Sequence, residues 1–138
     1  MLPNGMVTDR TLADVKAGNA KGSYNAEDMN RVGLAVTLIA EQLRLCGFDT
    51  SRITAAKMDW KEGDVPLHDD LDAYLDNVKQ LQAIVGSTEM MPTLPMSMLR
   101  LNYQGANDIE AVLVAIDEHL TLMEKSSFYS GEFFAGEV

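Results

Sequence analysis

Asn25-Ala26-Glu27-Asp28-Met29-Asn30-Arg31-Val32-Gly33-Leu34-Ala35-Val36-Thr37-Leu38-Ile39-Ala40-Glu41-Gln42-Leu43-Arg44-Leu45-Cys46-Gly47 is the stretch whose reading decides the fold. Asn25 is a good N-cap, and Glu27 and Asp28 place negative charge where the helix dipole favours it. Met29, Val32, Val36, Ile39 (or Ala40) and Leu43 recur at three- and four-residue steps and line one face. Leu34, Leu38 and Leu45 widen that face, which predicts a central helix over about 26–46 with Gly47 as a left-handed stop.

Two further stretches repeat the pattern. From about Asp69 to Val85, Leu71, Tyr74, Leu75, Val78, Leu81 and Val85 form a stripe between Pro66 and Gly86, with Asp69, Asp70 and Asp72 at the positive end. From about Asp108 to Lys125, Ile109, Val112, Leu113, Ile116, Leu120 and Met123 form another. Asn107 reads as its cap, with Glu110 completing a capping box. Amphipathic helices hide their stripes by packing on one another, so the expected fold is mostly α, a three- to four-helix bundle over 25–125.

The remaining segments are less regular. Residues 1–24 form an N-terminal arm in which Thr11 and Gly18 bracket a short helix. Residues 50–62 read equally as a short strand or an ordered loop. Residues 87–104 are a long connection carrying Met90, Met91, Met96 and Met98, which suit either core gaps or an adaptable binding surface. Residues 126–138 read as an extended aromatic and acidic tail whose Phe128, Tyr129, Phe133 and Phe134 either pack back on the bundle or dock on a partner.

Composition narrows the function classes. The net charge is −10, with eight Lys/Arg against nine Asp/Glu in residues 1–66 and three against twelve in 67–138. Nucleic acids and anionic membranes are recognised through basic groups, so neither is an expected partner. No apolar run approaches a membrane span, and Met1 to Gly5 reads as no signal peptide, which makes the cytoplasm the expected site of synthesis. Cys46 is the single cysteine and forms no internal disulfide. It ends an apolar helix, where a small buried thiol is the expectation.

Chemistry-bearing patterns are sparse. His68 and Asp72 share a helix face and are the best metal candidate, although helix capping and dipole complementarity explain the same residues. Cys46 and His119 have no spacing that specifies a nucleophile and base, and Asp117-Glu118 point in different directions. No phosphate-binding loop, dinucleotide fingerprint, zinc-protease or nucleophile-elbow motif occurs. The expectation is no enzyme, no cofactor, no metal and no catalytic residue.

One combination of strings is distinctive. Thr8-Asp9-Arg10-Thr11 with Asp14-Val15 comes first, followed by Ser23-Tyr24-Asn25-Ala26-Glu27-Asp28-Met29-Asn30-Arg31-Val32. Met58-Asp59-Trp60 before Pro66, Tyr74-Leu75-Asp76-Asn77-Val78, and Leu94-Pro95 with Ser97-Met98 follow. Ala106-Asn107-Asp108-Ile109-Glu110 and the Ser-Gly-Glu/Ala-Gly-Glu tail complete the set. In this order, over nearly the whole chain, they resemble small minor structural or tail-associated proteins of phages and prophages of Gram-positive bacteria. The resemblance implies a place in the virion tail rather than a reaction, with other phage structural proteins as partners and a homo-oligomer as the working form. Related sequences carry a longer segment where residues 16–22 are short here, so a contact made by that insert is not expected. The alternative from charge alone is an acidic regulatory protein that mimics DNA and binds a basic protein.

Overall fold

Three long helices, each packed on the other two, form the bundle in the computed structural model, which describes residues 2–3, 5–86, 91–99 and 101–137, with side chains up to 123. The helices in chain order are α1 (Leu12–Ala17), α2 (Ala26–Leu45), α3 (His68–Val85) and α4 (Tyr103–Glu137), with a 3-10 turn at Ala20–Gly22. No strand occurs among the described residues.

Local signals set most boundaries. The Thr11 hydroxyl accepts the Asp14 N–H, the Asp14 carboxylate accepts the Thr11 N–H, and Gly18 ends α1 at φ 65°. Asn25 and Asp28 form the same reciprocal box at α2. That helix closes with Gly47 at φ 93°, with Phe48 N–H donating to the Leu43 carbonyl. This is the paired arrangement that a left-handed residue permits.

The stripes meet as expected. Val32, Val36, Ile39 and Leu43 of α2, Leu75, Val78 and Leu81 of α3, and Ile109, Val112, Leu113, Ile116 and Leu120 of α4 are buried in one core. Trp60 and Met98 seal it from the connecting segments, and Met91 packs against its edge. Met96 stands in solvent, and Met90 lies outside the described residues. The Met-rich segment therefore both fills the core and faces water.

Several expectations are corrected. The last helix begins at Tyr103, not near Asp108, because Asn102 rather than Asn107 caps it, its side-chain oxygen accepting the Gly105 N–H at 2.8 Å. Leu34 and Leu45 are exposed, since they fall off the stripe on the solvent side. Cys46 is exposed as well, sitting past the last buried turn. The bounds of α4 take in residues that the sequence reading gave to an extended tail, but side chains from 124 onward lie outside the described residues. The expectations for Phe128, Tyr129, Phe133 and Phe134 lie there too.

Residues 50–62 are an ordered loop, held by helix side chains instead of a partner strand. Asn30 donates to the Trp60 carbonyl (2.8 Å) and accepts its N–H (2.7 Å). Asn77 does the same for Thr54, at 3.1 and 3.0 Å. Each amide satisfies both backbone polar groups of one loop residue, which is what a ladder would otherwise supply. Gly33 lets the loop approach: a Cβ there would lie 2.7 Å from the Lys57 carbonyl oxygen.

Candidate functional site

The most concentrated set of charged groups lies inside the protein, where the N-terminal arm crosses α2 and α4. Glu110 is fully buried on α4. Its Oε1 accepts from Val7 N–H (3.1 Å) and Arg31 Nε (2.6 Å), and its Oε2 accepts from Arg10 Nη2 (2.6 Å) and Arg31 Nη2 (2.9 Å). Asp28 Oδ1 accepts from Arg10 (3.2 Å) and Arg31 (2.5 Å), while its other oxygen closes the α2 capping box. Two cations and two carboxylates thus neutralise one another.

Arg10 is the arm's anchor. It is buried, reaches the Val7 carbonyl with Nη1 at 2.9 Å, and stacks 5.6 Å from the Tyr24 ring centroid. Its Nε finds no hydrogen-bond partner among the described residues. The Asn107 amide clasps the Arg10 backbone, accepting its N–H and donating to its carbonyl, both at 2.9 Å. This explains why Asn107 and Glu110 do not cap α4: both side chains are committed to the arm.

Electrostatics follow the geometry. Burial pulls the Arg31 guanidinium down, but the Glu110 and Asp28 carboxylates outweigh it and hold the group above its ordinary value. Beside the cluster the Tyr24 and Tyr74 hydroxyls bond to each other, with the rings edge to face. Burial pushes both phenols upward, Tyr74 well above its usual range.

With each charge bonded to an opposite one, the arrangement fastens three elements together. It gains its strength from the low local dielectric, and its partners come from residues 10, 28, 31 and 110. Sequence reading missed it, because such pairs leave no periodic trace across a separation of about one hundred residues.

The chain matches no family model, no curated protein and no solved structure.

The other sequence candidates are placed as follows. His68 Nδ1 lies 2.9 Å from Asp72. With Asp69 these groups bring their ligand atoms within 4.8 Å of one another, all exposed. Cys46 ends α2 in solvent, and His119 is half-buried on α4, 73 positions further along the chain. Among the described residues no helix is long and apolar enough to cross a membrane.

Proposed function

We propose that the chain is a non-enzymatic structural protein of a phage or prophage virion, associated with the tail, that acts by protein–protein assembly. The observation that supports this reading is where the distinctive strings fall. Arg10, Asp28, Asn30, Arg31, Trp60, Asn77, Asn107 and Glu110 come from those strings, and they are the residues that fasten the arm and the loop onto the bundle. Their chemistry specifies a shape. Apolar side chains including Leu12, Leu45, Val65, Leu67, Met96 and Leu99 also face solvent, each with area that a contact with another protein could bury.

Within this reading, other phage structural proteins are the partners, and Phe128, Tyr129, Phe133 and Phe134 are the docking residues. The test is deletion of residues 126–138. The truncated chain should keep its helical circular dichroism and lose co-sedimentation with phage particles. Truncated protein that still enters particles normally would overturn the docking role. An association that dissolves on raising the salt, while the truncation leaves it intact, would favour the acidic mimic instead, because exposed charge pairing is screened and apolar docking is not.

A further inference from the structure

We propose that the hollow between residues 54–60 and the helices is a binding site for an ammonium group on a short alkyl stem, carried by a lysine side chain or by a small free amine. The hollow follows from the two asparagine clasps. Asn77 holds Thr54 and Asn30 holds Trp60, so the loop spans from one to the other as an arch over α2 and α3. The arch brings only the small side chains of Ala55 and Ala56, and α3 meets it with Ala73. A cavity of about 90 Å³ is left, with Trp60 and Tyr74 among its walls. An apolar cavity of about 150 Å³ holds a benzene ring, so this one has room for a stem of about three or four carbon atoms.

The chemistry around the cavity selects a cation. The Lys57 ammonium already stands 5.0 Å from the Trp60 ring centroid, within cation–π range, so this ring accepts an ammonium in the protein itself. Asp70 lines the cavity with one carboxylate oxygen to spare: Oδ2 accepts the Leu67 N–H, and Oδ1 has no partner among the described residues. The carbonyls of Ala55, Ala56 and Lys57 in the arch accept no hydrogen bond among the described residues either. An ammonium brings three donors and no acceptor, which suits a carboxylate beside free carbonyls.

Lys57 is the resident competitor for this place. Its hydrogen bond to Asp59 outweighs its partial burial, and nearby Asp64 and Asp70 add to it, so the ammonium lies above its ordinary value. Three carboxylates therefore surround one cation, and the balance left over draws in a second. The Lys57 side chain is half exposed and its Asp59 partner more so, which leaves it free to swing off the ring while keeping that pair. An incoming ammonium then faces Trp60 and Asp70, with its stem in the cavity. A neutral molecule of the same shape gains the apolar contact alone, and an anion meets the three carboxylates.

Trp60 is the sole tryptophan, so its emission reports the site in the full chain. Titration with n-butylammonium at constant ionic strength should shift that emission saturably, with a midpoint about tenfold below that of 1-butanol, and butyrate should do nothing. Lys57→Met, which removes the competitor, should tighten n-butylammonium binding about threefold, with Lys57→Gln as the second variant if the first does not fold. Asp70→Asn, whose amide oxygen can still accept the Leu67 N–H, should weaken it about fivefold, whereas Asp72→Asn, on the same helix outside the cavity, should change nothing. A glycine-flanked lysine peptide and its ε-acetylated form separate the two sources. Tighter binding than n-butylammonium, lost on acetylation, assigns the site to a protein lysine, and weaker binding assigns it to a free amine. The proposal is overturned if 1-butanol binds as well as n-butylammonium, if emission is unmoved up to about 0.1 M, if the Lys57 variants bind as wild type, or if Asp72→Asn weakens binding as much as Asp70→Asn. None of these results bears on particle co-sedimentation, so the assembly reading stands or falls separately.

Discussion

Replacing Glu110 with leucine removes the acceptor on which the arm, α2 and α4 converge. Four bonds vanish together: from Val7 N–H, from Arg10, and two from Arg31. Two guanidinium groups are then left with Asp28 as their only carboxylate, inside a site where Arg10 has almost no access to water. Breaking a buried pair from one side costs about 3–5 kcal/mol, because the stranded charge can be neither rehydrated nor matched. Set against the roughly 5–15 kcal/mol that holds a domain folded, the loss leaves the protein marginal. With a urea slope of about 2 kcal/mol/M, a 4 kcal/mol loss lowers the midpoint by about 2 M. The Arg10→Met/Glu110→Leu double variant should lose less than the two single losses combined, with a coupling of about 0.5–3 kcal/mol, since each residue strands the other. Glu41→Leu, removing an exposed pair with Arg44 on the surface of α2, should leave the midpoint unchanged. A Glu110→Leu loss below about 1 kcal/mol, or strict additivity in the double variant, would refute the account of the cluster as a lock.

Three other outcomes follow from the same geometry. Asn107→Leu removes the clasp on the Arg10 backbone at a cost of about 1–3 kcal/mol, and amide exchange at Val7 and Arg10 should accelerate; unchanged exchange would mean that the arm is held elsewhere. Gly33→Ala drives a methyl into the Lys57 carbonyl and should cost about 1–3 kcal/mol while altering the fluorescence of Trp60, the sole tryptophan; wild-type stability and emission would show that the loop gives way freely. Burial raises the Tyr24 and Tyr74 phenols above their unfolded value of 10.0, so folding favours the protonated forms. Their contribution is complete below pH 10 and should decline as pH climbs from there toward the folded values, a limb that Tyr74→Phe should flatten.

The parts legible in the sequence are those decided by neighbours in the chain. Thr11 and Asp14, Asn25 and Asp28, and Gly18 and Gly47 act within a few residues, and the structure uses each as the local rule requires. The stripes of α2, α3 and α4 were equally readable, because a 3.6-residue period survives without knowledge of the partner. What misled was competition for the same side chains. Asn107-x-x-Glu110 satisfies the capping pattern, yet Asn102 takes the cap and leaves both residues for the arm. One signal was available for the missed cluster. Glu110 lies beside Ile109 and one turn before Leu113, on the edge of the apolar stripe, where an unpaired carboxylate would be costly.

A shared device holds both the N-terminal arm and the 50–62 loop on the helices. Asn30, Asn77 and Asn107 each sit in a helix, where asparagine is a weak former, and each grips both the N–H and the carbonyl of one loop residue. A helix has no free edge to pair with an extended segment, so a side-chain amide stands in for the missing strand. Trp60, Thr54 and Arg10 are the residues so held, and each sets the position of something larger: a core seal, the crossing over Gly33, and the buried charges. The third clasp matters beyond stability. Leu12 and Val15 follow Arg10 within five residues, so the wall they give to a groove beside α1 is positioned by the Asn107 amide and the Glu110 carboxylate. The interior charges thereby set where α1 lies on the bundle and where its exposed Leu12 and Val15 are presented.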